Sequence, residues 1–328
     1  MKARVLYFQA PRRIEIRDQD VAEPGAGDVR IETELSGISA GTELLLYRGQ
    51  VPQGTILDES LASLSGTVGY PLAYGYAVVG RVVAQGNGVR SDLLGRRVFA
   101  FETHRSAFLA RPEELHLIPE DMPSESAALL PTVETAVGLV HDARPLMGER
   151  VLVVGQGVVG LVTTALLSRF PLARLVTVDR WEPRRRISVE LGAARSVGPE
   201  DLDERDFDLT FEVSGSPGAL DIALAATGFE GRVIVGSWYG EKRADVDLGT
   251  HFHRGRLSIQ SSQVSRVPSH LLARWTKERR MKVALEAATR LPVQDLVSHR
   301  FPIERAAEAY RLLDESPQDC LQVLLTYT

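Results

Sequence analysis

The chain has 328 residues, long for one compact domain and comfortable for two, each able to bury a core of its own. A composition of 44% hydrophobic and 25% charged residues is that of a globular protein, and no apolar run approaches the roughly 20 residues of a membrane helix, which excludes a spanning protein. The formal net charge of -5, from 38 Lys and Arg against 43 Asp and Glu, argues against nucleic acid as a partner, and the single Cys320 excludes an intramolecular disulfide and any zinc site built on several thiolates.

Residues 1 to 16, MKARVLYFQAPRRIEI, alternate charged and apolar positions like a strand and lack the continuous apolar stretch of a secretory signal, so a cytoplasmic protein is expected. Short alternating stretches such as VRIETELSGIS and VVGRVVAQG follow, separated by Gly, Pro and Asn turns, and make the chain up to about residue 120 mainly β. From residue 123 the texture changes: SESAALLPTVETAVGLVHDA carries apolar residues at helical spacing and is stopped by Pro145 and Gly148. Strand VLVV, helix VVGLVTTALLSRF, strand LVTVD, a helix from Pro183, strand DLTFEV, helix PGALDIALAAT and strand RVIVG come next. Such a run of strand–helix–strand units folds into a parallel, doubly wound sheet. The chain ends with a strand-like turn and an amphipathic helix in HRFPIERAAEAYRLLDE, then a last strand in CLQVLLTY. The expected organisation is an α/β protein with a β-rich domain over 1–122, completed by 289–328, and a dinucleotide-binding domain over 123–288.

The chemistry is densest at VLVVGQGVVGL, where Gly155, Gly157 and Gly160 stand in G-x-G-x-x-G spacing between a strand and a helix. The first glycine permits the tight turn, the second lets backbone approach a pyrophosphate, the third lets helix and strand pack closely, and the helix N-terminus offers free N–H groups to the anion. Asp179 ends the next strand, where a carboxylate accepts hydrogen bonds from the adenosine ribose hydroxyls and repels a 2′-phosphate. NAD is therefore the expected cofactor; NADP stays open because Arg180 or Arg184, in RWEPRRR, could bind a 2′-phosphate or equally sit in solvent. Gln156, Val158 and Val159 within the loop, and Ser214, Gly236 and Ser237 after strands DLTFEV and RVIVG, complete the candidate cofactor contacts. His251 and His253 in HFHRGR would share a face if extended, but no Cys or acid beside them finishes a metal site.

With these landmarks the chain resembles the medium-chain dehydrogenase/reductase superfamily over nearly its whole length. The residues that carry the resemblance are SGISAGTELLLYRG (36–49), YPLAYGYAVVG (70–80), GRRVFAF (95–101), the glycine loop, DLTFEVSGSPGALDIAL and HRFPIERAAEAY (299–310). The resemblance implies a GroES-like catalytic domain, a Rossmann domain, a cleft between them where nicotinamide meets a small-molecule substrate, and a homodimer or homotetramer. It also exposes departures. Zinc-dependent members have a cysteine before Gly-Thr-Asp, where this chain has Ser39 and Ala40 before Gly41, Thr42 and Glu43. Their Gly-His-Glu is Gly75, Tyr76, Ala77 here, only Glu134 stands near their third ligand, and their four-cysteine lobe is missing from FAFETHRSAFLARPEEL. The expectation is a site with no metal, similar to the zinc-free branch near bacteriochlorophyllide hydroxyethyl dehydrogenase and related biosynthetic dehydrogenases.

Without a Lewis acid, side chains must polarise the carbonyl and move the proton. Tyr76, in the place of the histidine ligand, is a candidate donor or a tyrosine packing at the wall; Thr42 matches the family's hydroxyl relay or is a turn residue. Glu43 stands where an acid is often structural, His104 is a candidate acid/base or a surface loop residue, and Glu134 is a candidate substrate ligand or a helix carboxylate paired with an arginine. The expected activity is zinc-independent, NAD(H)-dependent hydride transfer between nicotinamide and a secondary alcohol or ketone of a biosynthetic metabolite. Two alternatives remain: an NADPH-dependent enoyl or quinone reductase of the same fold, and a dinucleotide-binding protein without turnover.

Overall fold

A computed structural model describes residues 1–327. The chain forms two compact units, one of Met1–Pro131 with the segment from Ala288 onward, the other of Thr132–Ala287. In chain order the elements are strands β1 (Lys2–Ala10), β2 (Arg13–Asp20) and β3 (Val29–Ile38), helix α1 (Ala40–Tyr47), and strands β4 (Leu72–Ala73), β5 (Val78–Gln85), β6 (Arg97–Ala100), β7 (Ala107–Ala110) and β8 (Leu115–Leu117). Helices α2 (Ser124–Ala128) and α3 (Leu130–Ala143) follow, then β9 (Arg150–Val154), α4 (Val158–Leu167), β10 (Arg174–Val178), α5 (Glu182–Glu190), β11 (Arg195–Val197), β12 (Phe207–Glu212), α6 (Gly218–Ala226) and β13 (Thr227–Val235). The chain closes with α7 (His251–Gly255), β14 (Ser258–Ser261), α8 (Lys277–Arg290), β15 (Val297–Pro302), α9 (Ala306–Glu315) and β16 (Gln322–Thr326).

The first unit is a seven-stranded sheet in the order β15-β16-β3-β5-β6-β8, with β7 also on β3, beside a small sheet β2-β1-β4. β1 is covered on both faces: Leu6 and Phe8 pack into one core and Ala3 and Val5, on the opposite face, into another. The C-terminal segment belongs to this unit because α9 buries Ala306, Ala309, Tyr310 and Leu313, spaced three and four apart, on one face of the helix. These meet Phe8, Leu44 to Tyr47 and Val323 in one core.

The second unit has the strand order β11-β10-β9-β12-β13-β14 with every pair parallel, which is the doubly wound dinucleotide-binding order. β9 reads as an unbroken apolar run because both faces are covered. Val151 and Val153 pack with Leu139 and Phe211 on one side, Leu152 and Val154 with Ala219 and Ala223 on the other. All six carboxyl ends therefore lie along one rim. Among the described residues no helix is long and apolar enough to cross a membrane.

Candidate active site

The rim of the parallel sheet is built by ladder bonds that continue past the strands. Asp179 donates its N–H to Val197 O, Gly155 to Val178 O, Val213 to Val154 O, Gly236 to Glu212 O and Ser262 to Val235 O, at 2.8 to 3.1 Å. Gly155 takes φ +99°, and a Cβ there would lie 2.5 Å from the Ser214 Cα. Gly160 faces the Gly155 carbonyl so closely that a Cβ would lie 1.9 Å from its oxygen, so only glycine lets α4 start against β9. At Gly157, the N-cap of α4, the space a Cβ would fill is open apart from the Arg184 guanidinium 3.9 Å away. That opening above a helix N-terminus is where a phosphate fits. The Asp179 carboxylate accepts the Gln156 N–H at 2.7 Å and the Trp181 N–H at 2.9 Å, which fixes the strand end to the glycine loop. Gln156 is locked inside the turn by Thr164, and the Arg184 guanidinium lies 4.3 Å over the Trp181 ring. Together these residues form a tight glycine turn, open at a helix N-terminus and braced by a carboxylate at the neighbouring strand end.

Further along the rim Glu212 is fully buried and accepts the N–H and hydroxyl of Ser214 and the Tyr239 hydroxyl. Burial, then the hydrogen bond to Glu212 and its charge, push the Tyr239 hydroxyl well above the usual phenol range. Ser237 accepts the Gly215 N–H at 2.8 Å, and Lys242 donates to the Gly215 carbonyl at 2.9 Å. The turn that carries Ser214 is thus held from both strands beside it.

In the first unit the short helix α1 delivers Glu43 into the interior, where it is 0% exposed. One carboxylate oxygen accepts the Ser39 N–H at 2.8 Å. The other is met by His104 Nε2 at 2.9 Å and by the Tyr310 hydroxyl. His104, also 0% exposed, is held on its other nitrogen by Ser36 Oγ at 2.7 Å, and Ser36 Oγ lies 2.8 Å from the hydroxyl of the part-buried Tyr327. Burial drives the Tyr310 hydroxyl upward, with the Glu43 charge next; the Tyr327 hydroxyl is raised by burial too. A line of hydrogen bonds thus runs Tyr327–Ser36–His104–Glu43–Tyr310. With Glu43 ionised, Nε2–H of His104 donates to it and Nδ1 accepts from Ser36.

Tyr76 stands beside this line, part-buried, with its ring edge-on to Tyr74 at 6.1 Å and its hydroxyl donating to Thr42 Oγ1 at 3.5 Å. Burial pushes its hydroxyl up to about 12, so it carries its proton at neutral pH. Glu134, in the second unit, is 6% exposed and pairs with Arg280 at 3.0 Å. The structure thus joins Glu43 to His104, sets Tyr76 on Thr42, and engages Glu134 elsewhere with an arginine.

Ser36, Tyr310, Tyr327, Glu212, Tyr239 and Arg280 are absent from the sequence-derived set. Only Glu212 had a local signal, as the acid closing the apolar strand DLTFE. Catalytic zinc takes three protein ligands and a water. Near Tyr76 stand hydroxyls, the Glu43 carboxylate already shared among three donors, His104 already engaged on both ring nitrogens and Asp58 already accepting backbone N–H groups, and no group of three His, Cys, Asp or Glu suited to a metal occurs among the described residues. The donor set does not fit zinc.

An all-parallel sheet in this order with a glycine turn at its rim, in a chain that also has a β-rich unit, is the architecture of two-domain, dinucleotide-dependent oxidoreductases. No family model matches the chain. It is 27% identical over 351 aligned residues to 2-desacetyl-2-hydroxyethyl bacteriochlorophyllide A dehydrogenase of Cereibacter sphaeroides, covering 100% of this chain and 99% of that protein. The protein of the same name from Rhodobacter capsulatus is 28% identical over 349 residues, with coverage of 100% and 99%. The crystal structure of a short chain alcohol dehydrogenase from Escherichia coli CFT073, complexed with NADH, superposes with a TM-score of 0.80 at 19% identity, over 99% of each chain. In fold and in whole-length similarity the chain resembles the medium-chain dehydrogenase/reductases, with the fold of a GroES-like unit and a Rossmann unit.

Proposed function

We propose that this protein is an NAD(H)-dependent dehydrogenase that moves hydride between nicotinamide and a secondary alcohol or ketone of a biosynthetic metabolite, with side chains in place of catalytic zinc. The observation that carries the reading is the cradle: a glycine loop that tolerates no side chain at Gly155 or Gly160, open at Gly157, with Asp179 at the neighbouring strand end. Asp179 favours NAD because a carboxylate repels a 2′-phosphate. The bound coenzyme supplies or accepts the hydride.

The chain's own residues move the proton. Tyr76, protonated at neutral pH and joined to Thr42, donates its proton to the oxygen of a ketone as hydride arrives, and in the reverse direction it is the tyrosinate left by that donation that takes the proton back from an alcohol. Glu43 and His104 lie inside and hold the start of helix α1, which carries Thr42, since Glu43 accepts the N–H of Ser39 at its N-cap. The relatives named 2-desacetyl-2-hydroxyethyl bacteriochlorophyllide A dehydrogenase support the substrate class, and the open edge strand β14, exposed at all four residues, supports a homodimer or homotetramer. A cytoplasmic address is part of the same reading.

The test combines titration with NADH and NADPH, metal analysis of the purified protein, and assay of a panel of ketones with and without chelator. Tighter NADH binding, no stoichiometric zinc and chelator-resistant reduction are expected. Stoichiometric zinc, or NADH binding with no turnover on any ketone or alcohol, would sink the reading.

A further inference from the structure

Arg280 heads the fully buried side chains by size, at 2% exposure, although it sits in the charged stretch KERRMK of α8. A guanidinium without water persists only when its donors are met. Here Nε and Nη2 lie 3.0 Å from Glu134 Oε1, Nη1 donates to Arg266 O at 3.0 Å, and Nη2 also donates to Val264 O. A buried ion pair is weak grounds for stability, because apolar residues of similar volume usually serve as well. What an apolar pair could not do is hold two backbone carbonyls in place. Those carbonyls belong to residues 262–266, the segment leaving the carboxyl end of β14, and its first residue is tied down as well. Ser262 donates its N–H to Val235 O at 2.9 Å and its hydroxyl to Asp142 on α3.

In a sheet of this order a dinucleotide crosses the rim with one nucleotide over each half. The adenosine half belongs with Asp179 at the end of β10 and the phosphates with Gly157, which leaves the nicotinamide half over β12 to β14. The clamped segment lies at that end. We infer that Glu134 and Arg280 are positioning residues that hold segment 262–266 in the shape that receives the nicotinamide half of the coenzyme. The inference rests on the coenzyme reading given above.

Two ligands separate the halves: NADH, and ADP-ribose, which keeps the adenosine and both phosphates but lacks the nicotinamide. Kd for each is measured by calorimetry on the wild type, R280K, E134Q and the apolar double variant E134L/R280M, which leaves no unpaired buried charge. ADP-ribose affinity is expected to stay within about twofold throughout, while NADH binds tenfold or more weakly to the double variant. R280K, which keeps the charge but loses the planar fork, is expected between the two. Equal weakening of both ligands, or wild-type affinity for both in the folded double variant, overturns the inference and leaves the coenzyme reading standing. A wild type that binds neither ligand overturns both.

Discussion

His104 Nε2 lies 2.9 Å from Glu43 Oε2 with neither side chain exposed, across 61 positions of sequence. Three donors converge on that carboxylate: Ser39 N–H from the start of α1, His104 from the segment between β6 and β7, and Tyr310 from α9. One acid therefore fastens together three stretches of the first unit.

Glu43→Gln gives a direct measure of that junction. The amide offers one acceptor where the carboxylate offers two oxygens, and turns an N–H₂ toward donors. Leaving buried donors unmet costs about 1–3 kcal/mol each, so a loss of about 2–5 kcal/mol is expected by urea denaturation. Tyr310→Phe removes one donor and keeps the ring packing against Phe8, so its loss should be smaller, about 1–2 kcal/mol. A Glu43→Gln protein as stable as the wild type would mean that the junction is incidental.

Tyr76 and Thr42 are tested by activity rather than by stability. Tyr76→Phe keeps the edge contact with Tyr74 and deletes the hydroxyl that meets Thr42. Loss of a proton donor in the transition state lowers kcat by about 10²- to 10⁴-fold, with NADH affinity unchanged. Thr42→Val should lose less, since it removes only the relay. Wild-type turnover in Tyr76→Phe would transfer the proton chemistry to His104 and its line to Tyr327.

The sequence shows some of these features plainly and hides others for physical reasons. A glycine turn, the strand before it and the helix after it are neighbours in the chain, so the steric demands at Gly155 and Gly160 are written locally. The apolar run of β9 likewise announces a strand covered on both faces. Glu43 and Tyr310 are 267 positions apart, and Ser36 and Tyr327 are 291 apart, so no spacing rule could join them. Arg280 is hidden differently. Its neighbours in KERRMK give it the look of a solvated helix face, and only the fold reveals that this one arginine points inward.

Asp179 is expected to set the choice between coenzymes. Its carboxylate already accepts two backbone N–H groups, so its negative charge is fixed at the end of β10. Asp179→Ser removes that charge and leaves Arg184 beside Gly157, within reach of an added phosphate. The ratio of NADPH to NADH Kd should move by about tenfold or more toward NADPH, a shift of about 1.4 kcal/mol. An unchanged ratio would show that Asp179 is only a brace for the loop.

His141 gives a prediction on pH. Its ring meets Trp275 edge-on at 4.2 Å, and Nδ1 meets no hydrogen-bond partner among the described residues. Burial first, then the positive charges of Arg280, His270 and Arg279, lower its pKa from 6.5 to about 4. The unfolded chain therefore takes up a proton near pH 6.5 that the folded protein refuses until near pH 4. Across that window the unfolded state binds more protons, so the contribution to stability is complete above about pH 6.5 and is lost progressively as pH falls toward 4. Carboxylates also titrate at the lower end, so the informative quantity is the difference between two proteins. Urea midpoints of the wild type and His141→Gln, followed from pH 7 down to pH 4, should converge in acid because the variant lacks this proton uptake. Parallel curves would show that His141 titrates alike in both states, and that the cations around it do not hold it neutral.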